Sequence, residues 1–568
     1  MLFDRNHTSL LNSANIFLWP IIIFLISFVV LIFVEGGPIT NDELKYLALS
    51  IDTSQEPRIL NRYFHVYLQK VFIYFFDDPF LSMQVFWSFL VSLTMALTFY
   101  SAILISNSKS LSIAFLSLLF LLIQPLIFRF VGVTYADYTV MFLLALSMAI
   151  YLSTDIKSLE SKSKSIFFLS ALLVLSVKSK ETGFVNIIFI FGIIFSNFEK
   201  STFLRLFRYI LFGTFLGVLI MALFDGLLLD DYFFSWRFSN IEQLLSFNSG
   251  QRERVIGNWY SLITQTDLII PFTLYLLSLP YMINEDEASH IKFLYLLPIF
   301  IILFLTIISG FGRLRIVPRY ILPIIPILSV LAANYFQIFN INKFKFSKKS
   351  FFLLIAITLI SIIFAIILKD ASNLINLNGW TPRLLLSNIF YPLLLSLILI
   401  CFIFLKRESS IFKISFLVIF TIMVLPPLIA LPNNLLYSGK LFNDRIQPLK
   451  DFGNYLKLNE KTIIILSADT QGYRGALIPF YFNAEISCSD PGNNLPILCA
   501  NDENKKNYSS YFDENGITGK DGEFDYAILT MNSYINNWKE KYPSNEYVVI
   551  TNDDKKYMLI CRSKMCKN

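Results

Sequence analysis

Residues 16–46 decide the fold, and they read IFLWPIIIFLISFVVLIFVEGGPITNDELKY. The run from Ile16 to Val34 is apolar and long enough to cross a bilayer, so it predicts a spanning helix that is retained as a signal anchor. Gly36 and Pro38 then end the helix, and Thr40 or Asn41 can cap a following one. This stretch therefore predicts a membrane span followed at once by a structured polar loop.

The composition of the whole chain indicates that lipid is its main solvent. The 568 residues are 55% apolar and only 15% charged, whereas soluble domains carry roughly 25% charged residues. The net charge of +6 does not indicate nucleic-acid binding, because most cations lie between hydrophobic runs, where they set membrane orientation. The chain is expected to be an α-helical polytopic membrane protein.

Long apolar runs recur along the chain, and each is read as one spanning helix. About thirteen are predicted, near residues 16–34, 80–105, 111–128, 138–153, 166–177, 184–197, 208–224, 267–283, 292–309, 320–338, 350–368, 386–405 and 412–431.

Positive charge in the short connections sets the predicted orientation. By the positive-inside rule, the cationic connections are cytoplasmic. The N-terminus is then cytoplasmic, and both long loops and the C-terminal tail are extracytoplasmic, as expected for a multi-pass protein of the plasma (inner) membrane. The cationic connections are 157–164, 200–208, 343–349 and 406–413, and the long outer loops are 35–79 and 225–266.

The chain changes character after Leu431, because residues 432–568 contain no run long enough to span a bilayer. Stretches typical of β-strands occur at Thr462–Ala468, Phe524–Thr530 and Glu546–Ile560, the last with a hairpin around residues 552–554. We therefore expect a transmembrane domain at residues 1–431 and an extracytoplasmic α/β domain at residues 432–568.

Four of the five cysteines lie in this tail. An even number in one polar region predicts two disulfides and an oxidising compartment, in agreement with the orientation from the charges. The candidates are Cys488, Cys499, Cys561 and Cys566.

Acidic side chains occur at the outer ends of the predicted spans. Asp42 and Glu43 stand at the start of a helix, where the macrodipole favours ionised carboxylates. A carboxylate there can deprotonate an acceptor or bind a cation, and acidic capping of a surface helix is the alternative. Asp137 opens the fourth span, either as a functional group or as the ion-pair partner of Arg129.

Basic side chains lie at the same depth. In Lys178–Gly183, the ammonium groups of Lys178 and Lys180 could clamp a phosphate, or the segment could be a solvated turn with an internal Lys–Glu pair. Arg58 and Arg62 precede the stretch Phe64–Phe76, which alternates aromatic and basic residues as interfacial helices do.

Metal binding stays open on the sequence alone. His65 lies in the first outer loop, so it could hold a divalent metal with Glu56 or Asp42, and a hydrogen-bonded interfacial histidine is the alternative. No pair of histidines has the spacing of a zinc protease.

Four short motifs follow one another along the chain: Asp42-Glu43-Leu44-Lys45-Tyr46, Tyr135-Ala136-Asp137, Lys178–Gly183 and Pro318–Pro326. Together they resemble the type C (GT-C) glycosyltransferase superfamily, and they are most similar to protein O-mannosyltransferases and lipid A aminoarabinose transferases. The layout of about thirteen spans with an outer C-terminal α/β domain is similar as well.

The resemblance implies an inverting transfer of a sugar from a polyprenyl-phosphate donor to an extracytoplasmic acceptor, which is a protein, lipid A or another glycan. It makes Asp42 the general base with Glu43 beside it, and it has Asp137 support the site or hold a metal. The residues that it implies as cations for the phosphate leaving group are Arg58, Arg62, Lys178, Lys180 and Arg319.

Three other functions stay open at this stage. An O-antigen ligase or polymerase would favour catalytic Arg or His residues in a late outer loop. A solute transporter or lipid flippase would place ionisable groups within the spans near the midplane. A non-catalytic scaffold with the glycosyltransferase fold is the third.

Overall fold

The computed structural model describes most of the chain up to residue 340 and shorter pieces beyond it. The described residues are 13–34, 36–37, 46–47, 50, 62–76, 79–106, 110–128, 131–196, 200–236, 269–278, 289–310, 318–340, 431–437, 439–440, 464–466, 511–513, 516–518, 526–530, 547–551 and 557–562.

The described membrane part is helical throughout. Its helices are α1 (Ser13–Ile32), α2 (Tyr63–Phe75), α3 (Pro79–Ile105), α4 (Leu111–Leu122), α5 (Pro125–Phe128), α6 (Ala136–Ser153), α7 (Leu159–Ser179), α8 (Ile187–Ser196), α9 (Lys200–Leu229), α10 (Ile269–Ser278), α11 (Ser289–Gly310) and α12 (Ile325–Asn340). Single 3₁₀ segments lie at Glu181–Asn186, Phe234–Trp236 and Pro318–Ile324.

Every predicted span up to residue 338 contains a helix, although several boundaries differ from the prediction. Among the described residues, three helical segments are long and apolar enough to cross a bilayer, and shorter apolar helices accompany them. The three are Phe80–Ile105, Ala136–Ser153 and Thr202–Leu229. The predicted spans near 350–368, 386–405 and most of 412–431 lie outside the described residues.

Local sequence signals explain where the boundaries moved. The predicted span 111–128 is divided because Pro125 cannot continue the hydrogen bonding of α4 and starts a new turn. The helix predicted from residue 166 begins at Leu159, where the Ser158 hydroxyl caps it by accepting from the backbone N–H of Ser161. The outer loop predicted from residue 225 begins later, because α9 continues to Leu229.

The core lies where α3, α6 and α12 pack against one another. Large aromatic side chains are completely buried in it, including Trp87, Phe99, Tyr138 and Tyr151. α7 packs against α6 on one side and α9 on the other, and α2 lies across α3 and α7. The ends of these helices come together on one side of the core, which is the side of Asp137.

α2 confirms the amphipathic helix that was predicted between the first two spans. Its buried face carries His65 and Tyr67, while Tyr74 and Phe75 at its end are exposed. Exposed aromatic rings at the end of such a helix suit the boundary between lipid and water.

Six strands are described in the tail. They are β1 (Ile464–Leu466), β2 (Tyr511–Asp513), β3 (Gly516–Thr518), β4 (Tyr526–Thr530), β5 (Tyr547–Thr551) and β6 (Tyr557–Arg562). β1, β4, β5 and β6 overlap the three stretches predicted from the sequence, whereas β2 and β3 were not predicted. β1, β4, β6 and β5 form a sheet in that order, with β1 parallel to β4 and the other pairs antiparallel. β5 and β6 are antiparallel and pair up to Thr551 and Met558, as the predicted hairpin requires, and residues 552–554 themselves lie outside the described residues.

Candidate functional site

A buried ion pair lies at the centre of the candidate site. The Nζ atom of Lys180 donates to both carboxylate oxygens of Asp137, at 2.6 and 2.7 Å, and each side chain is only 1–2% exposed. Asp137 lies in the first turn of α6, where the helix dipole favours its negative charge. Lys180 follows the last residue of α7 in extended backbone, which directs its side chain away from the helix.

The same lysine contacts the last of the four motifs. Its Nζ atom lies 4.0 Å from the ring centroid of Tyr320, a cation–π contact. Tyr320 is buried in the 3₁₀ segment Pro318–Ile324, which packs against α6. Lys180 therefore joins the second, third and fourth motifs at one point.

The first motif reaches the same place through its final residue. Tyr46 is 1% exposed and forms a small apolar cluster with Val66 and Ala136, the neighbour of Asp137. The Ser50 hydroxyl, one turn later, contacts the carbonyl oxygens of Tyr46 and Val66, at 2.7 and 3.2 Å. The segment that follows the acidic pair is thus anchored beside Asp137.

Glycines anchor the other end of that acidic loop. A side chain on Gly36 would come within 2.3 Å of the Val131 carbonyl oxygen. Gly132 has a positive φ of 70°, and an added Cβ would come within 2.8 Å of Gly37. Because these glycines have no side chains, the segment with Gly36 and Gly37 can approach Val131 and Gly132 this closely. The described residues on either side of Asp42 therefore lie against residues 131–136, directly before Asp137.

His65 is held behind the ion pair by two hydrogen bonds. Its Nε2 atom lies 3.0 Å from the Thr134 carbonyl oxygen, which can only accept, so Nε2 carries the proton. Its Nδ1 atom then accepts from the Thr139 hydroxyl at 2.8 Å. Burial, together with the charges of Arg62 and Lys180, lowers the pKa of His65 to about 3, so the ring is neutral.

Arg62 lies at the rim of the site. Its guanidinium carbon is 5.5 Å from the centroid of the Tyr46 ring, and Nη2 is 3.9 Å from a carboxylate oxygen of Glu181. The Arg62 side chain is 18% exposed, so it is the most accessible of the predicted phosphate-binding cations whose side chains the structure describes.

The alternative interpretation of Lys178–Gly183 as a solvated turn is wrong. Lys178 and Lys180 are 4% and 1% exposed, and the described ion-pair partner of Glu181 is Arg62 rather than a lysine of its own turn. Asp137 pairs with Lys180, whereas Arg129, the partner considered from the sequence, lies outside the described residues.

A second polar cluster, which the sequence analysis missed, adjoins the first through Lys178. The Nζ atom of Lys178 donates to the Ser235 carbonyl oxygen at 2.6 Å and lies 3.9 Å from the ring centroid of Trp236. Asp225 accepts from the Tyr67 hydroxyl at 2.5 Å and from the backbone N–H and hydroxyl of Ser235 at 3.0 and 2.6 Å. One signal could have identified it: Asp225 is an acid within a long apolar run.

Several predicted site residues cannot be placed. Asp42, Glu43 and Arg58 lie outside the described residues, as does the side chain of Arg319. Of the four candidate cysteines, only the backbone of Cys561 is described, in β6 opposite Tyr526 and Val548.

The described residues offer a poor fit to the metal considered from the sequence. No group of three metal-ligating side chains occurs in the part of the chain that the structure describes. Both ring nitrogens of His65 are engaged, and both oxygens of Asp137 contact an ammonium group that would repel a cation.

Comparison with known proteins identifies the fold. No protein-family model matches the sequence, and no curated protein does. ArnT from Cupriavidus metallidurans bound to undecaprenyl phosphate is similar in structure with a TM-score of 0.54 at 12% identity, covering 96% of this chain and 97% of that one. The same protein in the apo state gives 0.54 at 14% identity, covering 97% and 98%. The chain is thus a polytopic membrane protein with the fold of ArnT, a GT-C enzyme, and the resemblance is confirmed at the level of the fold.

Proposed function

We propose that this chain, which has the fold of ArnT, is an integral-membrane glycosyltransferase that moves a sugar from a polyprenyl-phosphate donor to an extracytoplasmic acceptor with inversion. The observation that carries the proposal is that residues of all four motifs meet around the Asp137–Lys180 pair. A similar structure is bound to undecaprenyl phosphate, which is a lipid carrier of the class that the proposal requires.

The proposed reaction is a single displacement at the anomeric carbon of the sugar. The hydroxyl or amine of the acceptor forms a bond to that carbon while the bond from the carbon to the phosphate oxygen breaks. The lipid phosphate leaves with the bonding electron pair, and the acceptor proton passes to Asp42 as general base, with Glu43 beside it. Asp42 is four residues before the buried anchor Tyr46, so covalent geometry keeps it within about 14 Å of that anchor.

Two kinds of cation serve this reaction in different ways. Arg62 at the rim, with Arg58 and Arg319, is proposed to stabilise the charge that develops on the departing phosphate. Lys180 is already neutralised by Asp137, so we assign this pair to holding the ends of α6 and α7 in position. Lys178 is proposed to add positive charge behind the phosphate.

The position of the buried charges favours this function over transport. Asp137 lies in the first turn of α6, Lys178 in the last turn of α7 and Asp225 near the end of α9. A transporter is expected to place such groups near the middle of its helices.

The proposal predicts that Asp42→Asn abolishes transfer while the protein is still inserted and expressed. The amide cannot take the acceptor proton, so the rate is expected to fall by about a hundredfold or more. The measurement is release of polyprenyl phosphate from a polyprenyl-phosphate sugar by the purified protein, in vesicles supplied with cell-envelope lipids, glycans and proteins as acceptors of the sugar.

Asp155→Asn is the matched control, because Asp155 is an exposed aspartate that follows α6 at its opposite end. This variant is expected to retain wild-type activity. Full activity of Asp42→Asn would remove Asp42 from the mechanism. A folded wild-type protein that releases no polyprenyl phosphate from any such donor would contradict the function itself.

A further inference from the structure

The chain reverses direction directly after α9 and folds back onto it. Asp230 adopts the left-handed conformation, with a φ of 55°, and turns the chain. Gly226 lets the Tyr232 ring pack directly on the helix, because a Cβ there would come within 2.3 Å of that ring. The reversal brings Ser235 beside Asp225, ten residues earlier in the sequence.

Asp225 is completely buried, yet every described bond to it comes from a neutral donor. A carboxylate in such surroundings needs a counter-charge. The cation that acts on it electrostatically is Lys178, whose own ammonium group is bonded to the Ser235 carbonyl oxygen. Ser235 is thus bound by both residues: its N–H and hydroxyl donate to Asp225, and its carbonyl oxygen accepts from Lys178.

Three helices are joined by this arrangement. Tyr67 comes from α2, Asp225 from α9 and Lys178 from the end of α7, two residues before Lys180. We call Tyr67, Asp225, Ser235 and Lys178 the Asp225 clasp. The Trp236 ring also contacts the Lys178 ammonium, so this group is held both by the Ser235 carbonyl oxygen and by an aromatic face.

We propose that Asp225 is a positioning residue, which fixes the Lys178 ammonium behind the lipid phosphate and so sets affinity for the polyprenyl-phosphate donor. The inference rests on the proposed function for the identity of the donor. Asp225 does not touch the reacting atoms and acts only through Ser235 and Lys178. Its loss therefore affects binding of the phosphate more than the chemical step.

The experiment measures the affinity of the full-length protein in detergent micelles for undecaprenyl phosphate, together with the KM and kcat of transfer. Asp225→Asn is expected to weaken binding and raise the donor KM by about tenfold with a smaller change in kcat. Asp230→Asn, an exposed aspartate five residues later that keeps its left-handed turn as asparagine, is expected to match the wild type.

A double-mutant cycle tests whether Asp225 acts through Lys178. Lys178→Gln alone and Asp225→Asn with Lys178→Gln are expected to bind undecaprenyl phosphate equally weakly, because the first change already removes the group that Asp225 orients. Effects that multiply, or unchanged binding in Asp225→Asn, would overturn the proposal.

Failure of the clasp and failure of the function give different results. If the wild type transfers sugar and Asp225→Asn binds undecaprenyl phosphate as the wild type does, the positioning role of Asp225 is contradicted and the proposed function stands. If the wild type binds undecaprenyl phosphate but does not transfer sugar, the proposed function is contradicted, and the double-mutant cycle still tests the role of Asp225. If the wild type does not bind undecaprenyl phosphate, both proposals are contradicted. Should Asp225→Asn not purify as a folded protein, Ser235→Ala removes one bond of the clasp, and the same cycle with Lys178→Gln then decides.

Discussion

At the scale of single residues, the Asp137–Lys180 pair is the most consequential contact. Two charges this deeply buried contribute little net stability compared with apolar residues, because removing them from water is costly. Removing one partner is different, since the other charge is then left buried without compensation. The pair therefore determines how the ends of α6 and α7 pack together, because any other arrangement would leave a buried charge unpaired.

We predict that Asp137→Asn destabilises the protein by about 3–5 kcal/mol, measured as thermal unfolding in detergent. Lys164→Gln is the control, because it breaks an exposed Lys164–Glu160 pair of the same type at the opposite end of α7, where solvent screens the charges. That variant is expected to unfold like the wild type. Equal unfolding temperatures for Asp137→Asn and the wild type would show that the ion pair is not structurally required.

At the scale of elements, α9 packs on α7 through small residues. Gly213 and Gly217 are one turn apart and face α7, where a Cβ would come within 2.1 Å of the Phe167 carbonyl oxygen and 2.7 Å of the Val174 Cβ, respectively. The opposite side of α9 exposes large apolar side chains such as Phe212 and Phe215. Close approach on one face and bulky residues on the other is the arrangement expected of a helix between protein and lipid.

We predict that Gly213→Ala lowers stability by about 1–3 kcal/mol, because the two backbones must move apart to admit the methyl group. Thermal unfolding in detergent measures the loss. Leu211→Ala, which shortens an exposed side chain on the same helix, is expected to change unfolding little. If Gly213→Ala were as stable as the wild type, α7 and α9 could not be as close as described.

At the scale of the whole molecule, Asp137 at the start of α6, Lys178 and Lys180 at the end of α7 and Asp225 near the end of α9 lie at one side, together with Tyr320. The connection between α6 and α7, with Lys157, lies at the other. The proposed reaction requires the first side to be extracytoplasmic, as the charge distribution predicts.

We predict that single cysteines label with a membrane-impermeant maleimide on intact cells at position 232 and not at position 157, in a background without other cysteines. Tyr232 and Lys157 are both exposed, so accessibility does not separate them. Labelling at 157 alone would reverse the orientation, and with it the side on which the donor is used. Labelling of both positions after the cells are opened serves as the control.

The sequence by itself determined the membrane helices up to residue 338, the amphipathic helix α2 and four strands of the tail, β1, β4, β5 and β6. Hydrophobic length and alternation are local properties, and a bilayer or a sheet face responds to them directly. Helix ends were predicted less well where a cap such as Ser158 or a proline such as Pro125 moved them by several residues.

Only the tertiary structure decided which buried polar side chains meet. Lys180 and Asp137 are 43 residues apart, and Tyr67 and Asp225 are 158 apart. Neither pair follows from spacing along the chain, because both depend on how helices that are far apart in sequence pack. The motifs indicated the neighbourhood of the site. Burial restricted which side chains can be neighbours, because a charge that is removed from water is tolerated only where the fold supplies an opposite charge or hydrogen bonds.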